Sequence, residues 1–165
     1  MKKVIVIGCP GSGKSTISRA LHNKTGIPLY HLDMMYWNED GTTVEKAEFT
    51  DSLDNILKKE EWIIDGNYAS TMEKRMAACD TVFFLDYTVD VCLDGIRSRR
   101  GKKRSDIPWM EPLDYCDKEF VEFVMRYNED SRPQVLELIN NNCFKNIIIF
   151  KTREESEEYI KSEQD

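Results

Sequence analysis

Residues 3–16 read Lys3-Val4-Ile5-Val6-Ile7-Gly8-Cys9-Pro10-Gly11-Ser12-Gly13-Lys14-Ser15-Thr16. Val4 to Ile7 form an uninterrupted β-branched run, the mark of a strand buried on both faces in a parallel sheet. Gly8 to Ser15 then match GxxxxGK[ST] at every fixed position. Residues 14–24 carry Ile17, Ala20 and Leu21 at helical spacing. Strand, glycine turn and helix in that order are the context the pattern requires.

Such a loop binds phosphate for physical reasons. Its glycines let backbone N–H groups turn inward around phosphate oxygens. The helix behind it adds its unpaired N–H groups and its dipole. The candidate nucleotide-binding residues are therefore Gly8, Pro10, Gly11, Ser12, Gly13, Lys14, Ser15 and Thr16. Lys14 would reach the β- and γ-phosphates, Ser15 Oγ would hold Mg²⁺, and Thr16 would face the α-phosphate. The implied ligands are ATP and Mg²⁺. The competing explanation is an ordinary glycine turn at a strand–helix junction.

Outward from the loop, strands and helices alternate. An extended piece at 28–32 precedes Asp33, and 45–59 reads as a helix through Phe49, Leu53, Ile56 and Leu57. Residues 62–64 are a strand ending at Asp65, 69–78 a helix, and 81–85 a buried strand ending at Asp86. A helix is expected over 89–100 and a loop over 101–114, where glycine, two prolines and a cationic run occur. Residues 115–141 are helical in pattern, with a break near Ser131 imposed by Pro133. A last strand at 147–150 and a charged helix close the chain. Five strands in alternation predict a three-layer α/β fold around a five-stranded parallel sheet. Ligands in such sheets bind beyond the carboxyl ends of the strands. Gly8 onward, Asp33, Asp65, Asp86 and Lys151 fall there.

Composition narrows the class. The 165 residues suit one domain, and 41% hydrophobic with 32% charged residues is an ordinary globular balance. A net charge of −7 argues against non-specific nucleic-acid binding, without excluding a local basic pocket. The five cysteines form no CxxC and no Cys/His cluster, so reduced thiols in a cytoplasmic protein are expected. The run at 4–7 is too short for a signal-peptide core, and no stretch approaches a membrane span. A monomer or weak dimer is expected.

A GTPase would need NKxD and DxxG, and neither string occurs. Beyond the loop, the chain resembles the nucleoside-monophosphate kinases, within the adenylate-kinase-like P-loop superfamily. Asp65-Gly66-Asn67-Tyr68 stands where those kinases carry an Asp-Gly-Phe-Pro turn, Leu85-Asp86 ends the next strand, and Arg97, Arg99 and Arg100 end the helix after it. Within that superfamily it is most similar to the group named for DNA topology modulation. The resemblance rests on "VIVIGCPGSGKST", "PLYHLD", "WIIDGNY", "DTVFFLD" and Arg132-Pro133. It covers nearly the whole chain and implies a P-loop kinase-like domain over 1–165, with an acceptor-binding insert at about 33–61 and a lid at about 101–114. Two departures matter. Asn67-Tyr68 replace Phe-Pro, and the short lid lacks the four cysteines of zinc-bearing lids.

Several side chains have competing readings. Asp33 could orient an acceptor alcohol or take its proton, or could simply cap a turn. Asp86 stands where a Walker B acid would hold a Mg²⁺-bound water, a part Asp65 could fill instead. His31 is expected on the opposite strand face in a structural role. Arg97 and Arg100, i,i+3 neighbours, are expected on phosphate or adenine, with Arg132 or Arg126 facing them; Lys102 and Lys103 read as a solvated run. Met34, Met35, Tyr36 and Trp37 are core of the insert or an acceptor pocket. Pro108 and Trp109 shape the lid, and Lys151-Thr152-Arg153 are weak candidates for adenine. The expected activity is transfer of the γ-phosphoryl of Mg-ATP to a nucleotide or other small-molecule acceptor, with Lys14, Arg97, Arg100, Arg132 and Asp33 catalytic. Asp33, Asp65, Gly66, Asn67 and Tyr68 would bind the acceptor. The alternative is an ATP-binding regulator with little turnover, linked indirectly to DNA topology.

Overall fold

Five strands form an all-parallel sheet in the computed structural model, which describes residues 1–109 and 117–162. The end of the expected lid, 110–114, and Cys116 lie outside the described residues. The strands are β1 (Lys3–Gly8), β2 (Leu29–His31), β3 (Trp62–Asp65), β4 (Thr81–Leu85) and β5 (Asn146–Phe150), in the order β2-β3-β1-β4-β5. The apolar run of β1 takes the central position, where Val4 to Ile7 are fully buried. Its side chains alternate between two cores. Val4 and Val6 pack with Ile17, Leu21, Phe83 and Leu85, whereas Ile5 and Ile7 pack with Leu53, Ile64, Met76 and Phe84.

Helices cover both faces. On the first lie α1 (Lys14–Thr25), α5 (Val89–Arg99), α6 (Lys118–Met125), α7 (Tyr127–Asp130) and α9 (Arg153–Ser162). On the second lie α2 (Leu32–Tyr36), α3 (Lys46–Leu57), α4 (Ala69–Ala78) and α8 (Arg132–Asn141). The parallel register aligns His31 with Asp65, Val6 with Asp65, and Gly8 with Leu85. The carboxyl ends of β1 to β4 therefore open on one edge, which is where a ligand cleft is expected.

Two elements differ from the sequence reading. The "LDMMY" stretch forms a single short helix, α2, directly after β2. The long helix expected over 115–141 is divided twice, at Arg126 and at Ser131. Pro133 sits in the first turn of α8, where its missing N–H leaves no hydrogen bond unmade, so the chain breaks just before it. Cys9, Cys79 and Cys92 are buried free thiols and Cys143 is exposed. No described helix is long and apolar enough to cross a membrane.

Candidate functional site

The phosphate loop packs backbone-to-backbone on α5. A Cβ added at Gly11, whose φ is 84°, would lie 2.0 Å from the Cys92 carbonyl oxygen. Only glycine fits so close an approach with that dihedral. Arg153 Nη2 donates to the carbonyl oxygens of Gly11 and Val91, each at 3.1 Å, and ties the loop to α5 from behind. Lys14 Nζ folds over its own loop, donating to Gly8 O at 2.9 Å and Cys9 O at 3.2 Å. Burial pushes this ammonium below its usual range, while the charges of Asp65 and Asp33 act to hold it up.

The Asp65–Tyr68 turn joins that loop to the insert. Asp65 Oδ1 accepts from His31 Nδ1 at 2.9 Å, and its Oδ2 is buried without a hydrogen-bond partner. Asn67 Oδ1 accepts from Gly8 N at 3.0 Å. The Tyr68 hydroxyl donates to Asp33 Oδ1 at 2.7 Å. Burial, then the Asp33 carboxylate, raises the Tyr68 phenol well above its ordinary value, so it remains a donor. Tyr68 is the one non-glycine with positive φ, 40°, among the described residues. Backbone in this region is strained for a bulky side chain and persists only where surroundings impose it. Arg75 imposes it. Fully buried on α4, it donates to Thr71 Oγ1 at 3.2 Å, Gly66 O at 2.9 Å, Tyr68 O at 3.3 Å, and Asn67 O. Burial lowers its guanidinium to about 10, still charged at neutral pH.

Loop and turn line one cleft of about 1340 Å³. That exceeds the roughly 300–1,000 Å³ of a single-ligand pocket, leaving room for two substrates. An aromatic group forms one wall. Tyr36, Trp37 and Tyr68 lie edge to face at 5.1–5.2 Å, and Trp109 of the lid meets Trp37 at 5.7 Å. At the loop, Ser15 Oγ donates to Asp106 Oδ2 at 2.6 Å. Arg104 binds the same carboxylate through Nε at 3.1 Å and Nη2 at 2.5 Å.

The structure gathers Pro10, Gly11, Gly13, Lys14, Ser15, Thr16, Asp33, Asp65, Gly66, Asn67 and Tyr68 around this cleft. Gly8 and Ser12 are buried beneath it. The arginines expected on phosphate are arranged differently. Arg97 bonds Asp94 at 2.9 Å on an exposed face, and neither it nor Arg100 lines the cleft. The helix ends at Arg99, and Arg100 leaves it with ψ 139°, so Arg99 faces the cleft instead. Arg99 lies 5.9 Å from the Phe120 ring centre. Arg132 is also away from the cleft, gripping Asp86 Oδ1 at 2.7 Å and Oδ2 at 2.8 Å. Lys151 joins it at 2.5 Å, so Asp86 anchors an ion cluster rather than facing the loop. Arg126 pairs with Asp130 on the surface.

Sequence reasoning gave His31 a structural role; the residue pairs with Asp65 and does not line the cleft. The same reasoning missed Arg75 and Asp106. Arg75 had a readable signal: it interrupts the buried stripe of α4 formed by Met72 and Met76. Asp106 had none, because its contact with Ser15 spans 91 positions.

The residues fit Mg-ATP by an observation independent of the motif. Ser12 Oγ is a buried hydroxyl with no partner inside the loop, and Asp65 Oδ2 is a second orphan on the cleft wall. Among the described residues no group of three or more His, Cys, Asp or Glu side chains could hold a metal ion. A cation here would depend on phosphate oxygens and Ser15.

No family model matches the chain. Two curated shikimate kinases, from Mycobacterium ulcerans and Mycobacterium marinum, are each 32% identical over 62 residues, 38% of this chain. That stretch spans about a third of their length, 34%. Solved structures align over nearly the whole chain. A gluconokinase from Sinorhizobium meliloti gives a TM-score of 0.60 at 15% identity, covering 98% of this chain and 89% of its own. Shikimate kinase from Acinetobacter baumannii in complex with shikimate gives 0.61 at 13%, covering 98% and 90%. Shikimate kinase from Bacteroides thetaiotaomicron gives 0.55 at 20%, covering 98% and 95%. The chain has the α/β fold of P-loop small-molecule kinases.

Proposed function

We propose that this chain is a phosphotransferase that moves the γ-phosphoryl of Mg-ATP to a small-molecule acceptor. The observation that carries the reading is the double link through one turn: Asn67 holds Gly8 of the phosphate loop while Tyr68 holds Asp33 of the insert. Donor loop and acceptor carboxylate are thereby fixed across one cleft. The likeness to kinases of small acceptors supports it. The strings "YHLD" and "WIIDGNY" support assigning it to the group named for DNA topology modulation. Its acidic charge supports the absence of direct nucleic-acid binding, and cysteines without a CxxC or Cys/His cluster support a cytoplasmic enzyme, proposed as a monomer or weak dimer.

In this reading Lys14 leaves its own carbonyls for the phosphates, Ser15 would hold Mg²⁺, and Asp65 would accept from the ion's hydration shell. Mg²⁺ would supply charge neutralisation on the phosphate oxygens. Arg99 and Arg104, both on the cleft, take the charge-stabilising part expected of Arg97, Arg100 and Arg132. Asp33 orients the acceptor and accepts its proton if that acceptor is an alcohol. Lid closure excludes water and limits hydrolysis.

The contact of Ser15 with Asp106 favours a second reading, an ATP-binding regulator in which the lid stays latched to the phosphate loop. An ADP-release screen over nucleoside monophosphates, nucleosides and small alcohols separates the two. Acceptor-dependent release supports the kinase. Tight ATP binding with flat release at every acceptor supports the regulator.

A further inference from the structure

Charge is distributed unevenly around the cleft. Its cations are Lys14, Arg19, Arg99, Lys103, Arg104 and Arg153. Lys14 and Arg153 bond the phosphate loop. Arg104 and Arg19 lie on Asp106, which bonds Ser15, and the charge of Arg99 acts on Lys14. Lys103 adjoins Arg104 in the lid. All but Lys103, which is exposed, are thereby tied to the donor half.

The acceptor half has the opposite character. Asp33, Trp37, Glu39, Asp40, Asp65 and Tyr68 line it, and Trp109 closes on Trp37. Arg75 lies behind this wall, but it is fully buried and engaged with the carbonyls of Gly66, Asn67 and Tyr68. Asp65 Oδ2 is buried on this wall with no partner. A carboxylate or phosphate here would meet Asp33, Glu39, Asp40 and Asp65, and Lys14, on which Asp65 and Asp33 act, is committed to the phosphate loop, an arrangement that disfavours an anion by like charge. Aromatic faces beside acids attract neutral rings and ammonium groups.

We infer that the acceptor is an uncharged or amine-bearing alcohol, and not an anion such as a sugar acid or a nucleoside monophosphate. This rests on the kinase reading and narrows it. The acceptor oxygen forms a bond to Pγ, the bond from Pγ to the β,γ-bridging oxygen breaks, ADP leaves, and the alcohol proton passes to Asp33. Asp33 Oδ1 already accepts from Tyr68, which leaves Oδ2 for that hydroxyl.

Matched pairs test it: a nucleoside against its monophosphate, and a sugar alcohol or amino sugar against the sugar acid. Trp37 and Trp109 line the cleft whereas Trp62 is buried in the sheet, so tryptophan fluorescence reads acceptor binding without turnover. The uncharged or amine-bearing member is expected to bind at least about tenfold tighter than its anionic partner. In Glu39→Lys, at an exposed position, that ratio is expected to shrink by about tenfold. Equal or tighter binding of the anions by the unmodified protein overturns the inference. ADP release is measured in parallel. Its absence with every acceptor defeats the kinase reading, while the binding order still decides the charge preference.

Discussion

Asp106 accepts a hydrogen bond of 2.6 Å from Ser15, the hydroxyl proposed to serve a metal ion. Burial opposes charge on this carboxylate, but Arg104 and Ser15 outweigh it and hold Asp106 well below the usual range. Asp106 therefore stays an acceptor at any working pH. Ser15 keeps its lone pairs for Mg²⁺ while it donates, but Arg104 must leave Asp106 before it can serve a phosphate. Asp106→Ala removes that competition. A hydrogen bond to a charged group contributes about 1.5 kcal/mol, so Mg-ATP is expected to bind about tenfold tighter to the variant. Titration calorimetry checks this, and weaker binding would make Asp106 part of the nucleotide site.

Asp86 tests whether Arg132 acts on structure or on phosphate. Burial opposes the Asp86 charge, but Arg132 and Lys151 prevail and hold the carboxyl below its ordinary 3.8. Near that value the unfolded chain binds more protons than the native one, so stability rises with pH there. The contribution is fully present above about 3.8 and is lost as pH falls through the lower native value. Asp86→Ala releases Arg132 and Lys151, which can turn to solvent, and is expected to cost about 1–2 kcal/mol in urea unfolding. Arg132→Ala should also destabilise while leaving ATP affinity unchanged; a large loss of affinity in a folded variant would return Arg132 to the phosphates.

Arg75 holds three consecutive carbonyls from a buried position. Arg75→Leu leaves the carbonyls of Gly66 and Asn67 without this donor, while Tyr68 O keeps Thr71, so at about 1 kcal/mol or more each a loss of at least about 2 kcal/mol is expected. Urea unfolding measures it. A stable variant with an intact turn would mean that the Tyr68 backbone needs no such brace.

Tyr68→Phe removes the donor on Asp33 and the acceptor of the Trp37 indole N–H. Turnover is expected to fall about tenfold or more with ATP affinity and stability nearly unchanged, since the lost bond is charge-assisted. Steady-state kinetics beside thermal melting separates this from a folding defect.

Much of this arrangement was legible in the chain. The "VIVIG" run and the glycine loop declare themselves because strand burial and phosphate binding are local properties, carried by a few adjacent residues. "DGNY" was legible as a turn, but its two links, to Gly8 and to Asp33, span 59 and 35 positions and belong to the fold. The choice among Arg97, Arg99 and Arg100 turned on where α5 ends, and a one-residue difference redirects a side chain. Asp86 matched a metal-binding position in sequence, yet Arg132 and Lys151, 46 and 65 positions away, claim it. Local chemistry was readable; pairings across the sheet edge were not.

The most direct test of the account compares acceptor-dependent ADP release in the unmodified protein with that in Lys14→Ala, across the alcohol panel. The account predicts release that depends on an alcohol acceptor and falls by about 10³-fold or more in Lys14→Ala, with an unchanged circular dichroism spectrum. Undiminished release by the variant would contradict it.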